Sequence, residues 1–310
     1  NMWIIKYRNW FYAFSATLLV VCAISIMVFG LRLGIEFTGG TLIDVRYPTE
    51  RPDKVVVEDV LNQLDLGAYS LRPAGTDRYL LRTRDLTESD KTQVLRAMSL
   101  AETASTTDVR ATTIGPVIGE ELRAKAVIAI ALIVLMVVCY VAFTFRHVSK
   151  PISSGWYGLL TIAALVHDII IPVGVFAALG HYFGFEIDVL FVTAVLTILG
   201  YSVADSVVVF DRVRENLKRN IDTNVKEPFS EVVGRSLSQT FVRSFNTSVT
   251  TFLAVTALYF LGAEPTRAFA LTLLIGIVAG AYSSLFIASP LLVTLEQWKR
   301  SRGKITDENN

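Results

Sequence analysis

Six stretches of about 20 mostly apolar residues constrain this chain more than any other feature, because a segment crossing a hydrocarbon core about 30 Å thick must satisfy its own backbone hydrogen bonds. They lie at 11–31, 124–145, 156–180, 187–210, 242–262 and 268–295, and each predicts a membrane-spanning α-helix. Composition closes off the alternative: 52% hydrophobic residues and a mean hydropathy of +0.49 are too apolar for an ordinary soluble domain of 310 residues. The first stretch is longer than the apolar part of a secretory signal and lacks a small-residue cleavage site, so it is expected to be retained as a helix.

Orientation follows from the cations in the short connections. Lys6 and Arg8, Arg146 and Lys150, Arg212, Arg214, Lys218 and Arg219, and Lys299, Arg300, Arg302 and Lys304 fall on one side, which is expected to be cytoplasmic. The connections at 180–186 and 262–266 are poor in cations, so both termini are expected inside, with 296–310 as a cytoplasmic tail. The net charge of +1 points to no particular partner, and basic residues that hug membrane ends without interleaved aromatics argue against nucleic acid. Cys22 and Cys139 each lie within a spanning stretch, where a small packing role is expected rather than a disulfide or a metal site.

Only 35–120 is polar and long enough to fold outside the bilayer. Thr41–Tyr47 reads as a strand, Val55, Val56, Val60, Leu61 and Leu64 recur at helical spacing, and Ala68–Arg72 and Tyr79–Thr83 read as strands around a turn at 73–77. Thr87 to Asp90 resembles a capping box opening a helix to about Met98, and Thr107–Ile114 closes as a strand. The order β-α-β-β-α-β predicts an extracytoplasmic α+β, ferredoxin-like domain between the first two of six transmembrane helices. It contains no nucleophile, metal spacing or phosphate loop, so a binding or mechanical module is expected. Gly39 and Gly40 at its entry and Gly115 and Gly119 at its exit are candidate hinges.

The candidate functional residues are the polar ones inside the spanning stretches, where ionisable side chains are costly and mark ion or proton pathways. Asp205 lies deep in the fourth stretch among the small residues Gly200, Ser202, Ala204 and Ser206, with Tyr201 one turn earlier on its face. Small neighbours leave room for water or let another helix approach. His167 and Asp168 lie about 17 Å into the third stretch; adjacent positions about 100° apart are expected to point different ways, and Pro172 predicts a kink and a free carbonyl at Asp168. In the fifth, Gln239, Arg243, Asn246, Thr247 and Thr250 form one polar stripe, which should face protein or water rather than lipid. Arg243 either snorkels to the headgroups or turns inward to the depth of Asp205. The charged run from Asp211 to Arg219 is expected to be an interfacial helix, and Gly276 and Gly280 a small-residue packing face.

Four segments carry a family resemblance: His167–Gly174, Gly200–Asn216 and Ser236–Thr251 resemble the membrane motifs of the SecD/SecF protein-export family, on its SecF side, and Phe37–Gly40 resembles its signature after the first helix. The resemblance covers nearly the whole chain. It implies a six-helix half of the resistance-nodulation-division architecture in the bacterial plasma (inner) membrane, with a SecD-like subunit as the other half. It further implies that the pair draws on proton flow, with no other cofactor, to help a translocating preprotein through the SecYEG channel. On this basis Asp205 corresponds to the proton-carrying carboxylate, Arg243 to the arginine that works with it, and Asp168 to a further member of the relay, with membrane lipid around them. Two departures stand out: family members commonly carry Asn before the intramembrane Asp where this chain has Ala204, and the 219–231 stretch is a few residues longer than usual.

Two other classes compete. An intramembrane aspartyl protease would pair Asp168 with Asp205 over a shared proton, but the residues preceding these acids, His167 and Ala204, do not match the Tyr-Asp and Gly-x-Gly-Asp patterns of such enzymes. Half of a proton-coupled small-molecule or lipid exporter of the same superfamily would use the same relay and would offer an apolar pocket in its outer domain.

Overall fold

Helical extent is where the fold departs most from the apolar pattern. The computed structural model describes residues 2–48, 50–99, 106, 108–146 and 151–302, so Lys150, Lys304, Thr107 and the tail from 303 onward lie outside the described residues. In chain order, α1 (Met2–Lys6), α2 (Arg8–Phe29) and the short α3 (Ile35–Thr38) lead into β1 (Gly40–Arg46), α4 (Lys54–Leu61), β2 (Ser70–Ala74), β3 (Arg78–Thr83), α5 (Glu88–Met98) and β4 (Asp108–Ile114). Then follow α6 (Pro116–Thr144), α7 (Ser154–Phe183), α8 (Val189–Asp222), α9 (Phe229–Leu261), α10 (Glu264–Ser283), a π-helical turn (Ser284–Ala288) and α11 (Ser289–Ser301). Among the described residues six helices are long and apolar enough to cross a membrane: α2, α6, α7, α8, α9 and the continuous run from Thr266 to Ser301.

Three predicted boundaries need correction. α6 starts at Pro116, well before the apolar run, because Glu120, Glu121, Arg123 and Lys125 are good helix formers and proline suits a first helical turn. The separate interfacial helix expected from Asp211 is instead the end of α8, which runs unbroken for 34 residues, about 51 Å. Ion pairs three residues apart, Arg214 to Asp211 and Arg212 to Glu215 at 2.6 Å each, support that extension, which stops near Asn224, the one described non-glycine residue with positive φ. α9 likewise begins at Phe229 and places Arg243 about 21 Å along its axis.

The chain divides into two units, one of 1–32 with 128–310 and the other Leu33–Val127. In the second, an antiparallel sheet is ordered β2-β3-β1-β4, so β1 and β2 run the same way with β3 between them. Alternation decides its faces: Ile43, Val45, Tyr79 and Leu81 turn to a core with Val57 and Leu61 of α4 and Val94 and Met98 of α5. Asp53 caps α4 by accepting from Val55 N, and Thr87 and Asp90 form the capping box at α5. Tyr47 donates to Met98 O at 2.9 Å, and burial pushes its phenol up to about 12. On the other face Arg46 donates to Asp77 at 2.7 Å and holds that exposed carboxyl below its ordinary range.

The junction glycines serve close packing. Gly39 and Gly40 have φ of 73° and 119°; a Cβ on Gly39 would lie 2.8 Å from Pro116 Cα, one on Gly40 2.5 Å from Thr83 O, and one on Gly119 2.8 Å from Gly39 N. Only Gly115 of the four has open space around it. Three of the four candidate hinges therefore lie in backbone-to-backbone contacts inside the Leu33–Val127 unit, which a swing at those residues would have to break. Gly39→Ala is expected to destabilise this unit by about 1–3 kcal/mol through strain and overpacking, read as faster proteolysis within 33–127 of the full chain. Equal protease resistance would show that the contact yields.

Candidate functional site in the spanning helices

Helix α8 is positioned by a row of small residues on α10. Gly276 faces Ile198 with no room for a Cβ, and a Cβ on Gly280 would lie 3.2 Å from Ser202 Cβ. One turn further, Ser206 Oγ meets Ser284 Oγ at 2.9 Å. This is how helices associate where no water drives them together. The Gly276 and Gly280 face expected from sequence is thus seated on α8.

Beside that seam Asp168 of α7 is enclosed. Ser202 Oγ donates to its Oδ2 at 2.5 Å and Ser283 Oγ at 2.8 Å, while His167 Nδ1 lies 2.9 Å from Oδ1. Both side chains are buried, at 3% exposure for His167 and 0% for Asp168. The expectation that neighbours 100° apart must diverge is corrected here, because the two side chains bend toward each other and converge on one cluster. α7 continues as one helix through Pro172. His167 also stacks on Tyr282, whose hydroxyl donates to Phe11 O at 3.1 Å.

Asp205 looks elsewhere. Its carboxyl lies toward Ser244 and within electrostatic reach of Arg243, both on α9. Asp205 Oδ2 and Ser244 Oγ are each buried without a well-formed hydrogen bond. An unsatisfied buried carboxyl oxygen is uncommon in a native structure and calls for an explanation. Tyr201 donates to Ser248 Oγ at 3.2 Å one turn away and closes the same α8–α9 face. Asp168 is bonded within its own cluster while Asp205 faces Ser244 and Arg243, so the two acids face different groups rather than sharing a proton, which is not the arrangement an aspartyl protease needs.

The stripe on α9 is open to the outside of this chain. Arg243, Asn246, Thr247 and Thr250 are exposed, and the two threonines donate back to the carbonyls of Arg243 and Asn246 at 2.9 and 2.8 Å. Ala204 is exposed as well, so a longer side chain there would point away from the α8–α10 seam. Gln239, placed in the stripe by spacing, is drawn off to the charged end of α8, accepting from Arg212 Nε at 2.7 Å and Asn216 Nδ2 at 2.9 Å. Sequence reasoning missed Ser244, Ser248, Ser283 and Ser284. The four-residue spacing of Ser202 with Ser206 on α8 and of Ser244 with Ser248 on α9 is the signal, since it puts each pair of hydroxyls on one face of its own helix.

Comparison with known proteins gives a consistent picture. The model of the family described as "Protein export membrane protein SecD/SecF, C-terminal" matches residues 94–298, and that of the "SecD/SecF GG Motif" matches 24–47. A protein translocase subunit SecF from Thermobaculum terrenum is 40% identical over 307 residues, covering 94% of this chain and 93% of the relative. The SecDF translocase subunit of Thermus thermophilus is 34% identical over 319 residues, with 97% of this chain matching 40% of that longer protein. The crystal structure of SecDF from Thermus thermophilus, described as a translocon-associated membrane protein, superposes with a TM-score of 0.82 at 31% identity, over 94% of this chain and 38% of that one.

Proposed function

The chain belongs to the SecD/SecF family of protein export membrane proteins and is a translocase subunit of the Sec pathway rather than an enzyme, and from that premise we propose that it couples proton entry at Asp205 to preprotein export. The observation that carries this reading is the half-buried Asp205, its Oδ2 enclosed without a well-formed hydrogen bond, next to the exposed stripe of Arg243, Asn246, Thr247 and Thr250. A guanidinium and three polar side chains do not face hydrocarbon at membrane depth. A second protein covers them, and the fused Thermus relative, more than twice as long, supports a SecD-like subunit in that place. The two halves then enclose Asp205, and the cation that attracts its charged form sits on the seam between them.

The cycle needs no covalent chemistry. With Asp205 ionised, Arg243 is held toward it; with Asp205 protonated, the attraction vanishes and α9 is released against α8. The proton enters from outside and leaves inside, the only coupling species required. The α+β unit is ferredoxin-like and lies outside the cytoplasm of the bacterial inner membrane, where it meets the preprotein leaving SecYEG. Both termini lie in the cytoplasm, which agrees with the cations at α1, α8 and α11.

A photoreactive residue replacing Asn246 in the full chain tests the seam. Expected is a cross-link to a SecD-like subunit in native membranes, and none to it from Leu132 on the exposed face of α6. Lipid adducts alone from position 246 would refute it.

A further inference from the structure

The cluster around Asp168 has its own logic, separate from the α8–α9 face. Three elements meet at one carboxylate: α7 supplies it, α8 donates through Ser202, and the end of α10 donates through Ser283. The following residue, Ser284, donates to Ser202 O at 3.3 Å and meets Ser206 Oγ, so consecutive serines of α10 and the π turn hold both serines that flank Asp205 on α8. The π turn is itself tied by Ser289 Oγ to Ser284 O at 2.9 Å. Such turns are uncommon and recur at functional sites.

Ser202 and Ser206 share a face of α8, whereas Asp205 lies roughly 60–100° around the helix from them. Fixing the serines fixes the rotation of α8, and with it the direction of Asp205. We propose that Asp168 is a positioning residue: held by His167, it locks α8 in the rotation that aims Asp205 at Ser244 and Arg243, and it carries no proton of the transport cycle. Its hydrogen bonds support this division of labour. Asp168 has every oxygen engaged and no exposure, whereas Asp205 keeps an unsatisfied oxygen. His167, with Nε2 buried and unpartnered and its ring against Tyr282, keeps the carboxyl from turning away from the serines.

The inference rests on Asp205 being the proton site, yet its test needs no proton flow, so the two can fail separately. In the full chain with Cys22 and Cys139 replaced, cysteines at Tyr201 and Ser248 are joined by a short bifunctional thiol reagent, and yield is compared with the pair Ala204 and Ser248. The 201–248 product is expected to dominate in the parent. Asp168→Ala should lower that preference by at least about tenfold, the scale of one hydrogen bond to a charged group, and the double variant Ser202→Ala, Ser283→Ala should do the same with Asp168 present. Asp168→Asn, which keeps an acceptor for the serines, should restore most of it. Gel filtration and melting identify any variant that fails to fold, and for Asp168→Ala the serine pair then provides the reading. An unchanged preference in the folded serine double variant overturns the proposal, as does failure of Asp168→Asn to restore what Asp168→Ala loses.

Discussion

Replacing Asp205 with Asn should abolish the proton-dependent part of export while leaving the chain folded and inserted. The change keeps the shape of the side chain and removes only its capacity to alternate between charged and neutral forms. An amide oxygen can still accept from Ser244 on α9, and the α8–α10 seam involves other residues. One charge crossing the membrane supplies about 2.3 kcal/mol per 100 mV, a bias of about 50-fold, and all of it should disappear. Inverted vesicles carrying the translocase, with and without an imposed proton gradient, give the measurement. Gradient-stimulated export that survives in Asp205→Asn would place the proton elsewhere.

A valine at Gly174 should be the most damaging single change to the spanning helices. A Cβ there would meet Cys22 of α2 at 2.7 Å from its Cα, and main chain cannot move aside as a side-chain tip can. The carbonyl of Gly174 also accepts from Ser25 Oγ at 2.8 Å, so separating α2 from α7 breaks a hydrogen bond as well as packing. Overpacking of this kind costs about 1–3 kcal/mol and more where backbone must shift, so Gly174→Val should lower the melting temperature in detergent by many degrees or prevent recovery of monodisperse protein. Gly200→Val, with open space around Gly200, should melt close to the parent. Similar melting of the two variants would mean that the α2–α7 contact is not structurally important.

The contrast between these glycines shows what a sequence can disclose. Spanning segments were readable because the bilayer imposes length and polarity on contiguous residues, and the strands and the Thr87 cap because alternation and capping are local. The candidate residues Asp205, Arg243, Asn246, Thr247 and Thr250 stand out in the sequence because charge or polarity within an apolar run is conspicuous in one dimension. Close approach is not: Gly39 and Gly119, or Gly174 and Cys22, are tight because distant segments arrive there, and nothing next to them in sequence says so. Serine hydroxyls at 202, 206, 283 and 284 read equally well as small packing residues, since a hydroxyl becomes a donor only when a carboxylate from another helix comes within reach. Helix ends were misread for a related reason. Charged residues that end an apolar run do not end a helix, and α8 and α9 cross that boundary without a break.

That uninterrupted α8 has a mechanical meaning. At about 51 Å it exceeds a hydrocarbon thickness of about 30 Å, so a stiff shaft carries the acid along its length and protrudes at one end. Twisting it near the acid turns the protruding end through the same angle, because no joint lies between them. Asn216 near that end, bonded to Ser236 and Gln239, would register every turn of the shaft as a change of grip on the N-terminal part of α9.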